Sequence, residues 1–234
     1  MNRESSLSLK NNLLPLDTTS LSAKVYDRLL TAIVRQELGA GQPLDVDEMS
    51  ELFKVSRTPV QAAISRLAEL GLVEVRPRRG TFVAKLTTQD VHELFEIRGL
   101  IEVHCARKAI KLASDAQLST LKGYVDRFHQ FFSGDQYMDY YAFLESDREF
   151  HWAIVSLARN QRLARVYDQA RMLIEVTRAS ARRDIGGAAL THERHIAIAE
   201  TLIAKDEEKA TAAIEDHIKE SEQAILARLH FPEE

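Results

Sequence analysis

The chain has almost no cysteine and no long apolar run. Its 234 residues include one cysteine, Cys105, which excludes an intrachain disulfide framework and fits a reducing compartment. No apolar stretch approaches the ~20 residues that a membrane-spanning helix needs, and the N-terminus lacks the hydrophobic core of a signal peptide. These absences predict a cytoplasmic protein without a membrane partner, in which Cys105 is a buried small apolar residue.

Charge is unevenly distributed along the chain. The composition, 45% hydrophobic and 28% charged, is that of a soluble globular protein, and the length allows two domains. The net charge of −4 argues against a nucleic-acid partner, but residues 21–86 hold ten Lys/Arg against eight Asp/Glu, whereas residues 87–234 hold nineteen against twenty-five. Because duplex binding depends on the local field, the basic excess points to residues 21–86 as a nucleic-acid reader.

Residues 45–82 contain two short helical patterns separated by a turn. The inner face of the first is marked by Met49, Leu52 and Phe53. The second repeats apolar residues at spacings of three and four, the pattern of a buried helix face, at Val60, Ala63, Ile64, Leu67 and Leu70. A further helix is expected before them, from about residue 21 to the glycines at 39 and 41.

The second pattern has clear end signals. Ser56 is a good N-cap, because its hydroxyl can accept a hydrogen bond from the first turn. Thr58 is an alternative cap, with Pro59 then at the first helical position, where its missing N–H is not needed. Gly71 is expected to end this helix.

Two strands are expected at residues 72–75 and 81–84, joined by a basic turn at 77–80. Helix, turn, helix and a basic hairpin make a winged helix-turn-helix, which presents one helix to the major groove and the hairpin tip to phosphates or the minor groove. The candidate DNA-contacting residues are Lys54, Ser56, Arg57, Thr58, Arg66, Arg78 and Arg79. Arg57 is the first choice among them; the alternative is a solvated surface arginine.

The strings VSRTPVQAAISRL and GLVEVRPRRGTFV resemble the DNA-binding signature of the GntR superfamily of bacterial regulators. This resemblance implies a winged helix-turn-helix reader of double-stranded DNA. Family members usually carry Arg-Glu where this chain has Gln61 and Ala62, and Asp47 stands where some relatives place an arginine. We therefore expect an unchanged fold and an altered operator sequence or affinity.

The pattern changes completely after Lys85. Residues 88–229 show continuous helical periodicity without a strand signal, which predicts an all-α bundle. The breaks in this periodicity define six helices, at residues 88–113, 115–132, 138–158, 161–184, 188–204 and 206–230. The expected fold is mainly α: a flexible N-terminal arm (1–20), a winged helix-turn-helix domain (21–86) and an all-helical bundle of six or seven helices (87–234).

Apolar residues mark the inner faces of these helices. In the first the stripe is expected at Leu94, Ile97, Ile101 and Cys105. Three large aromatic side chains of the third are also expected in the core rather than around a ligand: Phe143, Phe150 and Trp152.

Asp147 and His151 are four residues apart and so share one helical face. Together with His195 and His217 from two other helices, they can converge in the bundle interior. Three nitrogens and one carboxylate oxygen suit a divalent metal ion, zinc first, with nickel, manganese and iron as alternatives. On spacing alone, capping or solvated side chains are the more ordinary explanation.

A second resemblance covers about residues 88–230. DREFHWAIVSLARNQRL and ERHIAIAETLIAKDEEKATAAIEDHI resemble the FCD-type effector domain of FadR-like GntR regulators. The resemblance implies metal binding by Asp147, His151, His195 and His217, and a small carboxylate as effector. His192 is a rival ligand by geometry, but it does not match the family position.

Arg98, in FEIRGLIEVHCA, matches a family arginine that faces the effector cavity. A guanidinium can hold a carboxylate through two parallel hydrogen bonds. The alternative is that Arg98 pairs with Glu102, four residues later, and supports the helix. Glu102 either holds Arg98 in place or binds a hydroxyl of the effector.

These observations favour a transcriptional regulator, a repressor first, rather than an enzyme. The resemblance implies that it binds a pseudo-palindromic operator as a homodimer, with half-sites about one helical turn apart. A metalloenzyme is the first alternative, although the chain has no HExxH motif. The second is a regulator whose metal is purely structural, in a closed tetrahedral site.

Overall fold

The computed structural model describes residues 21–180 and 187–227. Within these ranges it contains nine α-helices, one 3-10 helix and two small antiparallel sheets. The expected flexible arm at residues 1–20 and the expected helix ends at residues 181–184 and 228–230 lie outside the described residues. Across the part of the chain that is described, no helix combines the length and the apolar character needed to cross a membrane.

The N-terminal domain is the expected winged helix-turn-helix. Its elements are α1 (Leu21–Val34), α2 (Val46–Phe53), α3 (Arg57–Glu69), β1 (Val73–Arg76) and β2 (Gly80–Val83). The two strands pair antiparallel, from Val73 opposite Val83 to Arg76 opposite Gly80, and form the wing. Its core is one apolar cluster that includes Leu29, Leu67 and Leu72.

Local backbone chemistry sets the helix ends in this domain. The Asp45 side chain accepts hydrogen bonds from the backbone of Asp47 and Glu48 and caps α2. Ser56 is the N-cap of α3, as expected, but its side chain makes no capping hydrogen bond, so the role expected for its hydroxyl is wrong. Gly71 ends the helix with a φ of 74°, a conformation that a residue without Cβ adopts easily.

Leu52 does not lie on the inner face of α2. It is 67% exposed, whereas Met49 is buried and Phe53 half-buried. The buried sector of this helix is centred between Met49 and Ser50, because the small Ser50 side chain is buried and its hydroxyl donates to the Val46 carbonyl at 2.6 Å. Leu52 points away from that sector. The prediction that Leu52 lies on the inner face is therefore wrong, because it considered only apolar residues and not the buried Ser50.

The C-terminal domain is the expected helical bundle. Its helices are α4 (Thr88–Leu112), α5 (Asp115–Asp126), α6 (Tyr140–Leu157), α7 (Gln161–Ser180), α8 (Ala188–Ile203) and α9 (Glu207–Leu226). Capping boxes at Thr87 with Asp90 and at Ser114 with Gln117 fix the starts of α4 and α5. One large apolar cluster joins these helices.

The segment between α5 and α6 departs from the prediction of a helix over residues 115–132. The α-helix ends at Asp126, and a 3-10 helix (Phe128–Phe131) leads into a short hairpin of β3 (Phe132–Ser133) and β4 (Gln136–Tyr137). The rings of Phe132 and Tyr137 meet edge to face across the hairpin, with centroids 5.1 Å apart. Aromatic packing thus replaces the last helical turn.

Two apolar residues expected in the core are exposed instead. Ile97 is 39% exposed, because Arg98 and Glu102 occupy the buried face of α4 and shift the stripe by one position. Trp152 is 45% exposed, although Phe150, two residues before it, is fully buried. Cys105 is buried, as expected.

Helix α7 of the helical domain also packs against the winged domain. Leu173 and Val176 pack against the core of the winged domain, and Leu173 also lies against Gly71 at the end of α3. The Tyr141 hydroxyl donates to the Arg35 carbonyl at 3.3 Å and adds a second contact between the domains. The winged domain therefore rests directly on the helical domain.

We predict that Leu67→Ala lowers the free energy of unfolding by about 2–5 kcal/mol, because Leu67 is fully buried in the core of the winged domain. The matched control Leu52→Ala should change it by less than about 0.5 kcal/mol, because Leu52 contacts mainly solvent. Urea denaturation followed by circular dichroism measures both. An equal loss for the two variants would contradict the orientation assigned to α2.

Candidate metal centre and nucleic-acid interface

Four potential metal ligands meet in the interior of the helical domain. Helix α6 supplies Asp147 and His151, α8 supplies His195 and α9 supplies His217. All four side chains are buried, and one ligand atom from each lies within 4.8 Å of the others. The four residues expected to share a metal ion are therefore brought together.

Asp147 carries an unsatisfied oxygen at the centre of this cluster. Its Oδ1 is 3.0 Å from His195 Nε2 and 3.9 Å from His151 Nε2, and the two Nε2 atoms are 3.3 Å apart. Among the described residues this oxygen has no hydrogen-bond partner of good geometry. A buried carboxylate oxygen without a partner is costly, and a cation would satisfy it.

Hydrogen bonds on the far side of two imidazoles assign their tautomers. His151 Nδ1 is 2.8 Å from Glu102 Oε2, and His195 Nδ1 is 2.7 Å from the Thr191 carbonyl oxygen. Since both partners only accept, each Nδ1 donates its proton, and each Nε2 presents a lone pair to the cluster. This is the arrangement that outer partners impose on metal-binding histidines.

The charge states also fit a metal site. Burial lowers the pKa of His217 well below its usual value, and the neighbouring His195, His151 and Arg98 lower it further, so His217 is neutral. Burial opposes ionisation of Asp147, but the guanidinium of Arg178, which bonds its Oδ2, holds the Asp147 pKa well below its usual range. Neutral imidazoles and an ionised carboxylate are the forms that bind metal.

Arg98 reaches the same cluster from α4. Its Nη2 lies 2.9 Å from His151 Nε2 and 3.5 Å from His217 Nε2, while its Nε donates to Glu102 Oε1 at 2.7 Å. Its Nη1 is buried without a hydrogen-bond partner among the described residues. Arg98 thus pairs with Glu102, as the alternative expected, and also faces the cluster, while its contact with an effector stays a prediction.

Both carboxylate oxygens of Glu102 are in use. Oε1 accepts from Arg98 and from the Tyr167 hydroxyl at 2.7 Å, and Oε2 contacts His151. Burial opposes ionisation, but Arg98 and His151 lower the Glu102 pKa to about 2, so the group is an anion. Glu102 holds Arg98 and His151 in place rather than projecting toward a ligand.

Arg178 and Tyr167 belong to this site and were missed by sequence reasoning. They lie eleven residues apart on α7, a spacing of three helical turns that places them on one face. An apolar face that contains a tyrosine and ends in an arginine is the signal that could have found them. His192, the rival ligand, lies outside the four-residue cluster, with its ring 5.7 Å from that of Phe132.

The candidate DNA-contacting side chains lie on exposed parts of the winged domain. Lys54 ends α2, the start of α3 carries Arg57 and Thr58, and the wing turn carries Arg78 and Arg79. Ser56 is exposed between the two helices. These residues occupy the helix and the hairpin tip that the fold uses to approach a duplex.

Arg57 is paired with an acidic neighbour that sequence reasoning noted but did not connect to it. Its Nη2 donates to Asp47 Oδ2 at 2.8 Å, and both side chains are largely exposed. A phosphate or base that binds Arg57 must compete with this carboxylate. The DNA contact of Arg57 stays a prediction, and we expect Asp47 to weaken it.

Arg66 is set apart from the other basic residues. It follows Arg57 by nine positions, about two and a half helical turns, and so projects from the opposite side of α3. Its guanidinium lies over the ring of Tyr26, 3.9 Å from the centroid, on the side that faces the helical domain. Its DNA contact stays a prediction.

Comparisons with known proteins agree with both halves of the chain. The model of "Bacterial regulatory proteins, gntR family" matches residues 21–83, and that of the "FCD domain" matches residues 93–220. The chain is 26% identical over 208 residues to the HTH-type transcriptional repressor RspR of Escherichia coli (strain K12), covering 89% of this chain and 90% of RspR.

Two solved structures share the fold. E. coli McbR/YncC superposes with a TM-score of 0.76 at 20% identity, covering 90% of this chain and 99% of that one. The Zn2+-bound FCD domain of TM0439 superposes with a TM-score of 0.51 at 20% identity, covering 63% of this chain and 99% of that one.

A winged helix-turn-helix joined to an FCD domain defines a DNA-binding transcriptional regulator, not an enzyme. The chain belongs to the GntR family of bacterial regulatory proteins, within the group that carries a C-terminal FCD domain.

We predict that Asp47→Asn strengthens DNA binding several-fold, because it frees the Arg57 guanidinium, and that Arg57→Ala weakens it by about tenfold. Fluorescence anisotropy with a duplex selected from random DNA measures both. The double variant is the control: with Arg57 absent, Asp47→Asn should bring almost no gain. An equal gain in both backgrounds would show that Asp47 acts only through general charge repulsion.

Proposed function

We propose that the chain is a transcriptional repressor that binds a pseudo-palindromic double-stranded operator as a homodimer, with its affinity modulated by a small carboxylic acid bound at a metal site. Residues 21–86 bind DNA, and residues 87–234 hold the metal and the effector. The two family matches and the relative named a repressor support this assignment. Lys54, Ser56, Arg57, Thr58 and the wing arginines make the DNA contacts, in the cytoplasm, where a bacterial regulator meets the chromosome.

One observation supports the effector site more than any other. Asp147 Oδ1 and Arg98 Nη1 are both buried and both lack a hydrogen-bond partner among the described residues. Arg98 and Asp147 each approach Nε2 of His151, so the two side chains border one space. A cation would satisfy the carboxylate oxygen of Asp147, and an anion would satisfy the guanidinium nitrogen of Arg98. A metal ion with a bound carboxylic acid provides both charges.

The residues present fit a divalent ion. Asp147, His151, His195 and His217 would hold it, and three imidazoles with one carboxylate favour zinc, with nickel, manganese and iron as alternatives. When bound, the ion supplies a buried positive charge to which an anionic effector can bind. The Zn2+-bound FCD domain of TM0439, which shares this fold, supports the choice of zinc.

Arg98 binds the effector carboxylate, and Glu102 is a positioning residue. Glu102 fixes the Arg98 guanidinium through Nε, which leaves Nη1 available. The same carboxylate orients His151 through its Nδ1. Of the two roles expected for Glu102, this assignment takes the first, that of holding Arg98 in place.

Helix α7 connects the effector site to the DNA reader. Arg178 bonds Asp147, while Leu173 and Val176, on the same helix, pack in the core of the winged domain. An effector that shifts Asp147 or Arg178 therefore moves the helix against which the winged domain packs. It changes operator affinity only to the extent that it binds the two domain arrangements unequally.

A purely structural metal is the remaining alternative. Four protein ligands could close a tetrahedral site. The unpartnered Arg98 Nη1 favours an open one, because a closed site would leave this buried donor unsatisfied.

We predict that His195→Ala reduces the bound metal from about one ion per chain to well below half, because one of its four ligands is lost. The matched control is His192→Ala, three residues away on the same helix and outside the cluster. Elemental analysis of dialysed full-length protein measures the ratio. Full metal content in the His195 variant would refute the ligand assignment.

We predict that Arg98→Lys retains the metal but weakens the effect of a carboxylic acid on operator binding by at least about tenfold. Lysine keeps a charge beside Glu102, so folding is preserved, but it lacks the planar fork that grips a carboxylate. The response is measured by anisotropy with an acid that releases the wild-type protein. An undiminished response would remove Arg98 from the effector site.

A further inference from the structure

A second cavity lies between the two domains, away from the metal cluster. Its volume is about 870 Å³, within the ~300–1,000 Å³ typical of small-molecule sites. Residues of α1 and α3 form one wall, and residues of α5, α6 and α7 form the other. None of the four potential metal ligands lines it.

Aromatic side chains line this interdomain cavity. Tyr26 comes from the winged domain, and Tyr124 and Trp152 come from the helical domain. The Trp152 indole is 45% exposed, although the residues around it on α6 supply the core. An indole that faces an open cavity offers a flat apolar surface to a planar ring.

Charged residues of both signs line the cavity, with Glu69, Glu149 and Asp168 among the acidic ones, and two of its arginines, one from each domain, have unused hydrogen-bonding capacity. Arg66 makes no ion pair with a carboxylate among the described residues, and its guanidinium rests on the Tyr26 ring. Arg171 donates through Nη1 to Glu175 at 2.9 Å and pairs with Asp168, but its Nε is buried without a partner within residues 21–180 and 187–227. An unsatisfied buried N–H of a charged group favours an anionic acceptor.

We propose that the interdomain cavity binds a small aromatic carboxylate. Its ring packs against Trp152, and its carboxylate is bound between Arg66 and Arg171, which line opposite walls of the cavity. This site is additional to the metal-linked effector site and does not depend on it. Because each domain supplies one wall and one arginine, the ligand binds best when the walls face one another, and it holds α3 in a fixed position against the helical domain.

The protein supplies its own probe, because Trp152 is the one tryptophan in the sequence. Full-length protein is titrated with benzoate and, separately, with indole-3-carboxylate, with and without added zinc. Benzoate binding is followed by Trp152 fluorescence, and both ligands are followed by calorimetry. We expect saturable binding of one ligand per chain under both metal conditions. Benzamide, which keeps the ring and lacks the charge, should bind at least about tenfold more weakly.

Three variants locate the site. Arg66→Gln should weaken binding at least about tenfold, and because Arg66 is exposed the fold is retained. Arg107→Gln, an exposed arginine of α4, is the control and should bind as wild type. His195→Ala should also bind as wild type, which separates this site from the metal cluster.

Three outcomes would overturn the proposal. The first is the absence of saturable binding of either acid up to about 10 mM. The second is unchanged affinity in Arg66→Gln. The third is loss of binding in His195→Ala, which would assign the acid to the metal-linked site and leave the proposed function standing.

Discussion

The architecture of the helical domain depends on ionised groups in its interior. An isolated buried charge is strongly destabilising, so each must meet an opposite charge or enough hydrogen bonds. The Asp147 carboxylate is matched by Arg178, and the Glu102 carboxylate is matched by Arg98, His151 and Tyr167. These partners come from different helices, so the bundle must bring them together in one arrangement.

These internal ion pairs leave two buried hydrogen-bonding atoms without a partner among the described residues. After every internal pairing, one oxygen of Asp147 and one nitrogen of Arg98 stay unsatisfied among the described residues. These two atoms lie beside Nε2 of His151 and His195. Glu102 and the Thr191 carbonyl fix the tautomers of these two rings through their Nδ1 atoms. In the proposed function a cation and an anion bind at these two unsatisfied atoms, and α7 links them to the packing of the winged domain.

The helix positions and the metal-ligand candidates could be predicted from the sequence wherever neighbouring residues alone determine the local structure. Glycine and capping residues marked the helix ends, and the four-residue spacing placed Asp147 and His151 on one face. Reasoning failed where tertiary contacts override local pattern. Ile97 is exposed because buried charges take its place on α4, and aromatic packing around Phe132 replaces a helical turn with a hairpin. The pairing of Asp47 with Arg57 and the position of Arg66 needed the folded arrangement of helices.

The central claim is that Asp147, His151, His195 and His217 form a divalent metal centre with room for an anion. X-ray absorption spectroscopy at the zinc edge, on zinc-loaded full-length protein, tests it most directly. The account predicts a spectrum with the multiple scattering of three imidazoles, no sulfur ligand, and a change in the oxygen shell when a carboxylic acid that releases the operator is added. A spectrum with fewer than three imidazoles, or one that such an acid leaves unaltered, would contradict it.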